Sequence, residues 1–199
     1  MSALFLRIES EAPARILRLI SPDGTNRLTR ACVLALTVAL AELKKKIQPL
    51  VIAGNRQFFS VGADLNEIAA LTLTLSGPEA CQFSAMGQAF MNAIASYPAP
   101  VIAAIEGHCM GGGLDLALAC HRRIAAPHAV FGHRGAALGL MTGWGGTQRL
   151  PRLIGKSRAL ELFIAAEKVS AARALEIGLV DAIADDPVAE AMRQLQPTL

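Results

Sequence analysis

The sequence predicts a single α/β domain, and three observations carry that prediction. Apolar runs of strand length alternate with longer stretches of helical period, the pattern of a layered α/β architecture. A chain of 199 residues with 53% apolar residues can bury one substantial core. Two of the buried strands run into glycine-containing loops that open directly onto a helix.

In chain order, Leu4–Glu9 and Arg15–Ile20 read as strands joined by a turn at Glu11-Ala12-Pro13, and Ser21-Pro22-Asp23-Gly24 is a second turn signal. Thr29 suits the cap of a helix over Arg30 to Lys46, with Val33, Leu36, Leu40 and Leu43 on one face. Pro49 stops that helix before a strand at Leu50–Ala53. A loop through Gly54 to Asp64 leads into another helix, followed by a helix over Glu79–Ala95, a break at Pro98-Ala99-Pro100 and a strand at Val101–Ile105. A glycine-rich turn then opens a helix running to Cys120, and Arg123–Ala126 reads as a short strand. The remainder is mostly helical, over Lys156–Ala166, Ser170–Ile177 and Pro187–Gln194.

Composition excludes several functions. A net charge of +3, with no basic stripe interleaved with aromatics, argues against nucleic acid as a partner. Arg7 and Glu9 interrupt what a signal peptide would need, and the apolar stretch Ala31–Leu43 is too short to cross a bilayer. The expectation is a cytoplasmic protein with no membrane partner. Cys32, Cys81, Cys109 and Cys120 have neither C-x-x-C spacing nor regular spacing with His, so they are expected to be small buried residues, with no metal site and no disulfide.

Chemistry concentrates in the two strand–loop–helix junctions, Phe59-Ser60-Val61-Gly62-Ala63-Asp64-Leu65 and Glu106-Gly107-His108-Cys109-Met110-Gly111-Gly112-Gly113-Leu114-Asp115. Helix N-termini present unpaired N–H groups and the positive end of a dipole, and glycine lets a ligand approach the backbone. Two such ends converging on one point would form an oxyanion hole. The glycine run is neither a Walker loop nor a dinucleotide fingerprint, because no Gly-Lys-Ser/Thr follows and the spacing differs from G-x-G-x-x-G.

These junctions resemble the crotonase, or enoyl-CoA hydratase/isomerase, family. Supporting residues are Val101-Ile102-Ala103-Ala104-Ile105-Glu106-Gly107, Phe131-Gly132, Gly145-Gly146-Thr147-Gln148-Arg149-Leu150-Pro151-Arg152 and Ala172 through Gly178-Leu179-Val180. The resemblance implies a crotonase-like spiral of ββα units with flanking helices. It implies an acyl-CoA thioester as partner, with coenzyme A carried by the substrate and no separate cofactor. The thioester C=O would sit between the N–H groups of Ala63 and Gly112, which stabilise an enolate. Arg27, Gly62, Ala63, Asp64, Gly111, Gly112 and Gly135 would face the substrate.

Family hydratases pair this hole with two glutamates, one two residues after the triple glycine and one four residues after the Phe of Phe-Gly. Those positions are Asp115 and Gly135 here. Asp115 keeps an acid in the first turn of a helix, where the dipole favours the ionised form and so suits a base. Gly135 cannot transfer a proton, which leaves His133 as the nearest titratable substitute. The later loop, Leu140-Met141-Thr142-Gly143-Trp144, offers no acid. Asp64 and Glu67 form the D-x-x-E of a capping box. Gln148-Arg149 is expected to fix a turn.

The resemblance thus implies a lyase that hydrates a 2-enoyl-CoA to a 3-hydroxyacyl-CoA. Double-bond isomerisation is the alternative that one carboxylate favours, and a non-catalytic acyl-CoA-binding homologue or assembly subunit is the alternative of another class. The single domain, residues 1–199, is expected to lack most of the family's C-terminal helical extension. That weakens the trimer, or dimer of trimers, that the resemblance otherwise implies.

Overall fold

A computed structural model describes residues 5–73 and 77–196. The expected start of the first strand, Leu4, lies outside them. Strands β1 (Leu6–Glu11) and β2 (Ala14–Leu19) form the expected antiparallel hairpin, with Glu11 opposite Ala14 across the turn. After the short strand β3 (Arg27–Leu28), helix α1 (Arg30–Leu43) begins at Thr29, whose hydroxyl accepts the Cys32 N–H at 3.1 Å.

From there the chain repeats one course: a strand in a large sheet, a strand in a second sheet, then helix. The first turn is β4 (Leu50–Ala53) and β5 (Phe58–Ser60), with a short β6 (Gly62–Ala63) leading into α2 (Leu65–Leu73) and α3 (Gly77–Ala95). The second is β7 (Val101–Ile105), β8 (His108–Met110) and α4 (Gly112–Ala119). The third is β9 (Arg122–Ala125), β10 (Val130–Gly132), a 3-10 turn over Arg134–Leu138, then α5 (Gly146–Ile154) and α6 (Lys156–Ala165). The chain continues through β11 (Val169–Ser170), α7 (Ala171–Glu176), β12 (Ala182–Ile183) and α8 (Pro187–Gln194).

The large sheet has the order β1-β2-β4-β7-β9-β12 and is parallel from β2 onward, while β11-β10-β8-β5 forms the second sheet and β3 pairs with β6. This is the expected spiral of ββα units.

The central strands are continuous apolar runs because both faces of the large sheet are covered. Leu50, Ile52, Val101, Ala103 and Ile105 face the main core with Leu36, Leu40 and Met91 from α1 and α3. Val51, Ala53, Ile102 and Ala104 face the other way, under Ala191 and Met192 of α8. A basic residue also joins this interior. Arg123 in β9 is buried, and its guanidinium donates to Asp181 and to the carbonyls of Leu179 and Cys120, tying β9 to the segment that precedes β12.

Several local expectations need correction. Gln148 and Arg149 lie inside α5, not in a turn. The helix starts sharply after Gly145 (φ 108°) and continues through Pro151. Cys81 is exposed, because α3 turns Phe83, Gly87, Phe90, Met91 and Ile94 inward instead; the other three cysteines are buried as expected. The capping box at α2 is only half formed. Asp64 Oδ1 accepts the N–H groups of Asn66 and Glu67, but the Glu67 carboxylate accepts the Arg30 N–H at 2.8 Å, linking α2 to the start of α1. No helix among the described residues is long and apolar enough to cross a membrane.

Candidate active site

The two glycine junctions meet at the N-terminus of α4. Gly111 caps that helix at φ 51°, and the Asp115 N–H returns to the Gly111 carbonyl at 3.0 Å. Gly112 is therefore the first helical residue, and its N–H has no intrahelical acceptor. β6 passes close by. A Cβ on Gly112 would lie 3.3 Å from the Ala63 nitrogen, and one on Gly62 would lie 2.7 Å from the Gly112 nitrogen and 2.6 Å from the Met110 carbonyl. Gly62 also holds φ at +90°, which L side chains rarely adopt. Only glycine leaves the two amides bordering one small space.

That space opens into a cavity of about 390 Å³, whose walls are largely apolar and include Leu65, Phe83, Met110, Leu140, Trp144 and Phe163. Six of the expected site residues line it: Ala63, Gly111, Gly112, Asp115, His133 and Gly135. Gly62, Arg27 and Asp64 do not. Gly62 lies against the Met110 carbonyl and the Gly112 nitrogen instead. Arg27 is exposed and engaged by two acids, Asp23 at 2.7 Å and Asp64 at 3.4 Å. Burial opposes ionisation of Asp64, but the N–H groups of Glu67 and Asn66 and the Arg27 charge together hold its carboxyl below the usual range.

Asp115 sits in the first turn of α4 and is 1% exposed. Thr142 Oγ1 donates to its Oδ2, and its Oδ1 lies 3.4 Å from His133 Nε2. The helix dipole was expected to keep this carboxyl ionised. Burial instead dominates and pushes its pKa up to about 6, against the opposing effects of the Thr142 hydroxyl, the Arg149 charge and the N–H groups of Trp144 and Gly146. Asp115 is still mostly ionised at neutral pH, and with that pKa it can both take and return a proton.

His133, the expected titratable substitute, shifts in the other direction. Burial pushes its pKa down to about 4, so at neutral pH it is an uncharged imidazole.

Gly135 occupies the 3-10 turn. Its carbonyl accepts the Leu140 N–H, and a Cβ there would lie 2.8 Å from the Leu140 carbonyl. The second carboxylate is absent, and the local backbone leaves little room for one.

Three residues of this site were not expected there from the sequence. Trp144 is buried, with its indole against Gly87 of α3 and Gly112 of α4 and its ring centroid 5.4 Å from that of Phe83. A lone Trp between glycines could have been read as a ring needing glycine partners. Gly146 is the second: a Cβ there would overlap Asp115 Oδ1 and come within 3.0 Å of His133 Nε2. Thr142, one hydroxyl in a loop, offered nothing to read.

Comparison with known proteins identifies the family and the fold. The family model for enoyl-CoA hydratase/isomerase matches residues 11–198. A Bacillus subtilis protein named "Probable enoyl-CoA hydratase" is 44% identical over 140 residues, covering 70% of this chain and 53% of that protein. The "Fatty acid oxidation complex subunit alpha" of Shewanella halifaxensis is 42% identical over 147 residues, covering 71% of this chain and 20% of its own length. The chain thus spans about half of the first of these relatives and a fifth of the second.

Among solved structures, an enoyl-CoA hydratase from Thermoplasma volcanium superposes with a TM-score of 0.89 at 31% identity, over 96% of this chain and 75% of that one. One from Bacillus anthracis gives 0.84 at 33%, over 95% and 72%. The spiral fold, the paired glycine junctions and these matches together make this chain a member of the enoyl-CoA hydratase/isomerase (crotonase) family.

Proposed function

We propose that this chain binds an acyl-CoA thioester with its C=O between the Ala63 and Gly112 N–H groups and hydrates a 2-enoyl-CoA to a 3-hydroxyacyl-CoA. The observation that carries the reading is the placement of one buried carboxyl, Asp115, three residues into the helix whose first amide borders the Ala63 nitrogen.

Asp115 takes a proton from water as the water oxygen bonds to C3. The electron pair of the C2=C3 bond moves onto the thioester, and the two amides meet the charge that develops on its oxygen. The enolate then collapses as C2 takes up the proton held by Asp115. No net proton is gained or lost, so one carboxylate with a pKa of about 6 suffices for both halves. Coenzyme A enters as part of the substrate, and no further cofactor is required. The names of the relatives support hydration, and the apolar walls suit an acyl chain.

One observation favours a second reading. With glycine at 135 and no second acid, the site also suits moving a proton between C2 and C4 of a 3-enoyl-CoA, a double-bond isomerisation that needs one base. A cytoplasmic setting fits four unpaired cysteines, and assembly into trimers belongs to the same reading; neither bears on the chemistry.

Purified protein is expected to consume crotonyl-CoA, followed as loss of the conjugated thioester absorbance. Formation of that absorbance from a 3-enoyl-CoA, with crotonyl-CoA untouched, would replace hydration by isomerisation. Binding of both esters without turnover of either would leave a non-catalytic acyl-CoA-binding protein.

A further inference from the structure

The fold treats the two oxygens of Asp115 differently. Oδ2 accepts the Thr142 hydroxyl. Oδ1 is buried and receives no well-aligned hydrogen bond among the described residues, although the Trp144 and Gly146 N–H groups stand near the carboxylate, and His133 Nε2, which faces it at 3.4 Å, is buried without a partner too. Two orphaned polar atoms facing each other at a cavity wall are costly unless the pair has work to do. The surroundings keep them there. Gly146 leaves the gap that both atoms occupy, and Phe163 of α6 backs the His133 ring, with centroids 5.2 Å apart.

Resting on the function proposed above, we infer that Thr142 is a positioning residue. By holding Oδ2 it commits Oδ1 as the oxygen that exchanges protons, and it aims that oxygen at His133 Nε2, so that Asp115 and His133 hold one proton between them where other members use a second carboxylate.

The proton balance is closed. With Asp115 ionised and His133 neutral, Oδ1 forms an O–H bond as the bond from that proton to water oxygen, or to carbon, breaks and leaves its electron pair behind. The new O–H donates to the Nε2 lone pair, which keeps the proton at the cavity wall, out of bulk water. Delivery to the receiving carbon from Oδ1 restores the starting state.

The groups that face Asp115 are few. Thr142 and the Trp144 and Gly146 N–H groups come from the loop and the start of α5, the Arg149 guanidinium from α5, the Cys109 thiol from β8 and His133 from the end of β10. Burial holds the Cys109 thiol well above its usual range, so it stays neutral. Arg149 is the positive charge, and its guanidinium is also held by the Trp144 carbonyl at 3.1 Å and Asn92 at 2.7 Å.

The test is an NMR titration of the Asp115 carboxyl carbon and the His133 ring nitrogens in the unmodified protein, Thr142→Val and Thr142→Ser. Losing a donor to the charged form raises the Asp115 midpoint in Thr142→Val by about one pH unit, a tenfold change in proton affinity, and serine restores it. The His133 signals move over the same pH range as Asp115. In turnover, Thr142→Val lowers kcat about tenfold with KM little changed and shifts the acid limb of the pH profile upward. An unmoved Asp115 midpoint in folded Thr142→Val, or a serine variant that behaves like the valine, overturns the assignment. Thr142→Ala takes the place of the valine if that variant does not fold. The titration needs no turnover, so an inactive unmodified protein would sink the enzymatic reading while the midpoints still decide the role of Thr142.

Discussion

Replacing Asp115 by Asn is expected to stop turnover and, at neutral pH, to make the fold more stable. The first half follows from the site, since the substitution removes the one carboxylate that can carry a proton there. The second follows from linkage. The Asp115 pKa rises from an ordinary 3.8 to about 6 on folding, so the folded state holds the proton more tightly than the unfolded chain. Its ionised form is a cost that is absent below about pH 4, grows as pH rises to about 6, and is full above that. A rise of that size corresponds to about 3 kcal/mol as an upper bound.

His133 contributes the opposite slope. Its pKa falls from 6.5 to about 4, so its cost is full below pH 4 and gone above 6.5. In the unmodified protein the two slopes offset each other between pH 4 and 6. With Asn at 115 only the histidine slope remains. An amide also fits the surroundings, accepting from Thr142 and donating to His133 Nε2. Urea denaturation is therefore expected to show Asp115→Asn more stable by about 1–3 kcal/mol at pH 7.5, with stability now rising from pH 4 to 6.5. A variant less stable than the parent at pH 7.5, or one that retains turnover, would contradict this.

The second large effect is expected from Gly62→Ala. The added Cβ meets the Met110 carbonyl at 2.6 Å and the Gly112 nitrogen at 2.7 Å, both backbone, and φ is +90°. Either β6 or the start of α4 must move, and the amides they carry move with them. Displacing a reacting geometry by about 1 Å costs about 100-fold, and losing one oxyanion donor costs about 100- to 1000-fold. Turnover should fall within that range, with a stability loss of about 1–3 kcal/mol from overpacking and backbone strain. Gly178→Ala is the control. It has a similar φ of +79° but open space where the Cβ would go, so stability should fall by about 1 kcal/mol with turnover kept. Equal turnover losses in both variants would mean that strain, not the amide pair, explains the effect.

The parts of this molecule that could be read in advance are those where one physical demand acts alone. The runs Leu50–Ala53 and Val101–Ile105 had to be strands buried on both faces, and Thr29 had to cap α1. Each of the Gly62 and Gly111–Gly112 junctions alone suits a turn or close packing as well as a site; what could be read was that the two share one strand–loop–helix design, and the structure brings them together at the start of α4. Three-residue strands such as β5 and β8 left no period to detect, and the paired glycines Gly145-Gly146 read as a turn where a helix begins. At Asp115 and His133 the residue types were visible, but their charge states depend on burial supplied by Thr142, Trp144, Gly146 and Phe163, which come from later in the chain. Sequence neighbours suggested that the helix dipole would set the Asp115 charge, and tertiary packing reversed the direction.

The central claim is that Ala63 and Gly112 polarise a thioester carbonyl. Infrared difference spectroscopy of an acyl-CoA labelled with ¹³C at that carbonyl, bound to the unmodified protein, measures this directly. Two donors on one oxygen weaken the C=O bond, so the band is expected at lower frequency than in free solution. A bound ester whose carbonyl band stays at its free-solution position would contradict it.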